Sequence, residues 1–164
     1  MVSDPVFNVS ILGLGNILLQ DEGVGVHIAN KLKQKFTFLP NVEIIDGGTM
    51  GMDLLPYIDG KDKVMIIDAV NFDKEAGYLE VIENNEILKQ ISTRLSSHQA
   101  GLADVLSAAK LLDMDQAEMV LIGIQPASMK IGLEVTNKVS AVVGQAIDLI
   151  LSRLKEWNIT PLSK

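Results

Sequence analysis

The chain has 164 residues, 48% of them apolar, and carries 14 Lys and Arg against 21 Asp and Glu for a formal charge of −7. That length suits one domain of roughly 100 to 200 residues, and the even spread of apolar residues excludes a disordered chain, so a single domain over residues 1–164 is expected. The negative charge repels phosphate backbones and anionic lipid alike, which argues against a nucleic-acid partner. The absence of Cys removes disulfides, thiolate metal clusters and a cysteine nucleophile.

Residues 1–8 hold an acid and a Pro but no basic region followed by an apolar run, so they do not read as a signal peptide. Apolar runs such as residues 64–67 and 120–124 fall far short of the roughly 20 residues that span a bilayer. A cytoplasmic protein without a membrane segment is the expectation.

Strand and helix signals alternate along the chain. Residues 9–14 form the first apolar, β-rich run, and Val24, Ile28, Ala29 and Leu32 follow at helical spacing. A second run at 42–45 precedes Met52, Leu54, Leu55 and Ile58, the mark of a second helix. The third run, 64–70, and the fourth, 78–82, are not separated by a helical pattern, which makes the fourth an edge strand able to pair antiparallel. Leu102, Val105, Leu106, Ala109 and Leu112 mark a third helix, residues 119–124 a fifth strand, and the apolar stripe from Val135 to Leu154 a long final helix. Ser10-Ile11-Leu12, Val64-Met65-Ile66-Ile67 and Met119-Val120-Leu121-Ile122 are continuous rather than alternating, as in strands buried on both faces. The predicted fold is therefore α/β: a three-layer domain with a largely parallel sheet, helices on both faces and one antiparallel edge strand.

Ligands in such sheets bind at the loops beyond the carboxyl ends of the strands, and three loops there carry chemistry. The first runs from Gly13 to Gly25 and contains Gly13-Leu14-Gly15, but Leu18 stands where a dinucleotide fingerprint needs its third glycine, and the helix starts late. Its acids, Asp21 and Glu22, can be helix-start residues held by capping and the macrodipole, or site residues. His27, inside the helix, reads as an ordinary packing or surface histidine. The second loop, Asp46-Gly47-Gly48-Thr49, suits either a ribose or the backbone of an extended peptide. Asp68 ends the central buried strand, where a carboxylate needs a partner or a metal, although a turn role ahead of Ala69-Val70-Asn71 is open to it. His98 lies in the small-residue segment Ser96-Ser97-His98-Gln99-Ala100-Gly101, read as a loop leading into the third helix, whose N-terminus favours the neutral, coordinating imidazole. Glu22, Asp68 and His98 together would give a three-ligand site with open positions, the arrangement of catalytic metal. No His-Glu-x-x-His pair and no Gly-x-Ser-x-Gly elbow occurs.

These residues resemble a family. Gly13 to Gly25, Asp46-Gly47-Gly48-Thr49-Met50-Gly51-Met52-Asp53-Leu54-Leu55, Ile66-Ile67-Asp68-Ala69-Val70 and Ser97-His98-Gln99-Ala100-Gly101-Leu102-Ala103-Asp104-Val105-Leu106 are similar to the motifs of the hydrogenase maturation endopeptidases, and together cover almost the whole chain. The resemblance implies an endopeptidase that removes the C-terminal extension of a nickel-iron hydrogenase large-subunit precursor after nickel insertion. It implies Glu22, Asp68 and His98 as catalytic, metal-contacting residues, with Glu22 at a place where the family carries Asp or Glu. It implies that Asp46, Gly47, Gly48 and Thr49 recognise the substrate, and that the nickel is presented by the precursor, with no tightly bound ion of the enzyme's own. A monomer is expected, although the sequence leaves the oligomeric state open. Two other readings stand beside it: a binding module that checks nickel without cutting, and a nucleotide-dependent oxidoreductase resting on Gly13, Gly15 and Asp46.

Overall fold

The computed structural model describes Ser3, residues 5–93 and residues 97–164, with the side chains of residues 97–100 outside that description. In chain order the strands are β1 (Val9–Leu14), β2 (Phe36–Thr37), β3 (Val42–Gly48), β4 (Lys63–Ala69), β5 (Leu79–Glu83), β6 (Glu118–Ile124) and β7 (Leu162–Ser163). The helices are α1 (Val24–Lys35), α2 (Leu55–Ile58), α3 (Asn85–Ser92), α4 (Ser97–Leu111), α5 (Asn137–Ser140) and α6 (Val143–Glu156).

Five strands form one sheet in the order β3-β1-β4-β6-β5; β3, β1, β4 and β6 are parallel, and β5 closes one edge antiparallel to β6. The antiparallel edge strand expected from the missing crossover is therefore present. Successive side chains of a strand point to opposite faces, so each continuous apolar run feeds two cores. Val9, Ile11, Met65, Ile67, Val120 and Ile122 pack with α1 and α6 on one face. Leu12, Leu14, Val64, Ile66, Met119 and Leu121 pack with α2, α3 and α4 on the other. Continuous hydrophobicity and helices on both faces have this single cause.

Strand order sets the place of the site. From β1 the chain crosses outward to β3, whereas from β4 it crosses the opposite way to β6, so the direction of winding reverses between β1 and β4. Crossovers that depart to opposite sides leave a crevice at the carboxyl ends of those two strands. Leu14 and Asp68 lie there.

The structure adds elements that the sequence pattern did not announce. β2 and β7 pair as a two-residue antiparallel ribbon, Phe36 opposite Ser163. Helix α3 rests on Ile87 and Ile91, both buried. The final stripe divides into α5 and α6 where Val142 N–H bonds to the Val139 carbonyl three residues back, a tightened turn among β-branched residues.

At the amino edge of the sheet, Lys63 donates to Glu118 across the β4–β6 register. This hydrogen bond holds the Glu118 carboxyl below its ordinary 4.5, against the opposing effect of partial burial. The folded chain thus releases this proton more readily than the unfolded one, and the pair stabilises the fold fully above pH 4.5 and progressively less as pH falls through the lowered value. We expect thermal midpoints measured over an acid series to fall less steeply for Glu118→Gln than for the parent chain.

Candidate active site

The crevice contains a cavity of about 320 Å³ whose walls include Glu22, Asp68, Gly48, Thr49, Gly101 and Leu102. Asp68, at the end of β4, is 1% exposed, and Glu22 is 8% exposed. Two carboxylates that lie on either side of α1, β2, β3 and α2 in the chain thus share one wall-bounded space.

Glycines make the convergence possible. After β1 the chain enters a 3-10 turn, Gln20–Gly23, that carries Glu22 and packs against β4. A Cβ on Gly25, in the first turn of α1, would meet the Ile67 carbonyl oxygen at 2.0 Å, so only a glycine lets the helix start lie this close to the strand that delivers Asp68. Gly15 adopts φ +121°, and a Cβ there would meet the Glu22 carbonyl oxygen at 1.7 Å. Both positions press the Glu22 turn onto the sheet.

Asp21 and Glu22 were open to a helix-start role. Neither caps: the turn and α1 begin without a side-chain cap hydrogen bond. Asp21 instead is fully buried and binds the segment after β6. Its Oδ2 accepts from the Ala127 and Ser128 amides at 2.8 and 3.1 Å and from the Thr136 hydroxyl at 2.8 Å, while its Oδ1 accepts from the Thr136 amide at 2.7 Å. Ser128 also donates its hydroxyl to Gln20 Oε1 at 2.6 Å. Asp21 is therefore a positioning residue that fixes the turn from which Glu22 projects. Sequence reasoning left its role undecided because its partners lie more than 100 residues away.

The second loop divides. Gly48 and Thr49 line the cavity, Gly47 is buried, and Asp46 is exposed one step back, opposite Gly13 in the register of β1 and β3. The segment around His98 corrects the sequence reading: α4 begins at Ser97, so position 98 belongs to the first turn of a helix and not to a loop. The side chain of His98 lies outside the described residues. Positions 98, 101, 102 and 105 share one face of a regular helix, and Gly101, Leu102 and Val105 all line the cavity. His27 lies in α1, and its Nε2 is buried with no hydrogen-bond partner among the described residues.

The model of the hydrogenase maturation protease family matches residues 26–153, a span that includes Asp46, Asp68 and His98 and begins just past Glu22. The chain belongs to the hydrogenase maturation protease family. It is 35% identical over 157 residues to the hydrogenase 2 maturation protease of Escherichia coli strain K12, across 95% of this chain and 96% of that one. Its fold is similar to that of the hydrogenase maturating endopeptidase HybD from E. coli, with a TM-score of 0.91 at 34% identity, covering 96% of this chain and 98% of the other. The NiFe hydrogenase maturation protease HybD from Thermococcus kodakarensis is a more distant likeness, at TM-score 0.73 and 27% identity over 87% and 96% of the two chains. The expected α/β fold and the family resemblance both hold. As a hydrogenase maturation endopeptidase the chain is a hydrolase, which leaves the oxidoreductase reading without support. Among the described residues no helix is long and apolar enough to cross a membrane.

Proposed function

We propose that this hydrogenase maturation protease removes the C-terminal extension of a nickel-iron hydrogenase large-subunit precursor once nickel is in place, with Glu22, Asp68 and His98 docking onto the precursor's nickel. One observation carries the reading: Glu22 and Asp68 line the same cavity, and position 98 lies on the helical face that lines it too. Two carboxylates and an imidazole are a donor set suited to nickel, although copper and zinc also accept it, so selectivity belongs to the precursor that presents the ion. The enzyme then owns no tightly bound metal, and it works as a cytoplasmic monomer.

Chemistry follows from burial. The ion, when presented by the precursor, supplies Lewis acidity at the scissile carbonyl. Asp68 or Glu22 accepts the proton of the attacking water, and the walls formed by Leu54, Leu102 and Val105 limit access of bulk solvent. Gly48 and Thr49, with Gly47 and Asp46 behind them, contact the peptide beside the cleaved bond.

Purified enzyme mixed with precursor tests the reading. Mass spectrometry is expected to find the large subunit shortened when the precursor carries nickel and full-length when it does not. Equal cleavage of both forms overturns nickel docking, and no cleavage of either favours a module that checks nickel without cutting.

A further inference from the structure

The strand nearest the cavity wall on one side is also a sheet edge. β3 pairs only with β1 within the five-stranded sheet, and its carboxyl end supplies Gly48 to the cavity. Which backbone groups face outward follows from the register. Val9, which pairs with Val42, donates to the Asn41 carbonyl at 2.9 Å, so Asn41, Glu43 and Ile45 direct their N–H and C=O groups toward β1. Val42, Ile44 and Asp46 therefore direct theirs away from the sheet. The Val42 amide bends back to the Leu39 carbonyl at 3.0 Å, which ends the free edge on that side. Among the described residues nothing hydrogen-bonds to the backbone of Ile44 or Asp46.

We infer that this edge, the outward N–H and C=O groups of Ile44 and Asp46, is a binding site for an extended peptide, and that its occupant is the precursor's extension downstream of the cleaved bond. This rests on the proposed function. An exposed edge is a template for strand addition, in which main-chain bonds hold a peptide of varied sequence. The occupant follows from continuity with the cavity. A folded precursor body cannot lie along an edge two residues long, but the segment to be removed can leave the cavity past Gly48 and run back along β3. Leaving from the carboxyl end of β3, it travels antiparallel to the strand. In that direction one peptide residue can exchange both of its main-chain bonds with Ile44 or with Asp46.

Proline discriminates here. Ile44→Pro removes an N–H that the sheet does not use, whereas Ile44→Ala keeps it and removes similar side-chain bulk. With nickel-loaded precursor, kcat/KM is expected to fall about tenfold for Ile44→Pro relative to Ile44→Ala, the effect of roughly one backbone hydrogen bond. Should Ile44→Pro fail to fold, amide exchange of the parent chain replaces it: a synthetic peptide of the extension, at millimolar concentration, is expected to slow exchange at Ile44 and Asp46. Ile44→Pro cleaving as fast as Ile44→Ala, or unchanged exchange at both amides, overturns the edge site while leaving the protease reading in place. A parent chain that leaves nickel-loaded precursor uncut overturns that reading and the edge site with it.

Discussion

Asp68→Asn is expected to lower kcat/KM on nickel-loaded precursor by about 10² to 10⁴-fold, the range typical of losing a positioned acid or base, without lowering the thermal midpoint. The two parts have one origin. Asp68 sits at the end of a buried central strand and is 1% exposed, a place where a carboxylate costs more to hold than a neutral amide of the same shape. Asn therefore matches the size of the side chain at the strand end and keeps one acceptor oxygen, with an NH2 donor in place of the other, but it carries no charge for a metal and accepts no proton from water. Cleavage assays beside thermal unfolding separate the effects. A variant with parental activity, or one that loses activity only because it unfolds, removes Asp68 from the chemistry.

The largest loss of stability is expected at a residue that touches no substrate. Asp21→Ala deprives the Ala127, Ser128 and Thr136 amides and the Thr136 hydroxyl of their acceptor inside the fold. Removing one side of a buried charged network costs about 3 to 5 kcal/mol, and at this chain length each kcal/mol moves the midpoint by about 2–4 °C. Calorimetry should therefore find a fall on the order of 10 °C. Asn is a poor substitute, because Oδ2 alone takes three hydrogen bonds and an amide NH2 in its place would face three donors. A midpoint within 2 °C of the parent, small beside that expectation, would show that the segment after β6 holds its place without Asp21.

The sheet was readable because burial on both faces leaves a plain mark. Residues 9–14 match β1, and residues 64–70 and 119–124 match β4 and β6 to within one residue at each end. Strand β3 runs to Gly48, past the expected end at Ile45, since an acid and two glycines are poor strand formers that pairing with β1 nonetheless holds in register. Helix α3 passed unnoticed because it is short: Ile87 and Ile91 lie one turn apart on its buried face, but eight residues fall below the roughly 11 to 18 over which helical spacing is read. Ribbon β2–β7 has two residues per strand and no pattern at all.

The site was legible as chemistry and only partly as geometry. Asp68 stood out because a charge ends an apolar strand, a local signal. Glu22 and Asp21 are adjacent acids with opposite fates, one lining the cavity and one sewn into the 127–136 segment, and no local feature distinguishes them. The start of α4 was misplaced because Ser97, His98, Gln99, Ala100 and Gly101 lack the apolar spacing that marks the rest of the helix. The outward edge of β3 depends on pairing register, which no stretch of sequence specifies by itself.

The most direct measurement is the length of the hydrogenase large subunit in cells whose only copy of this protease carries His98→Ala. Convergence of His98 with Glu22 and Asp68 on the precursor's nickel predicts that the extended form accumulates while the variant protein remains folded and present. A large subunit of mature length in those cells would contradict it.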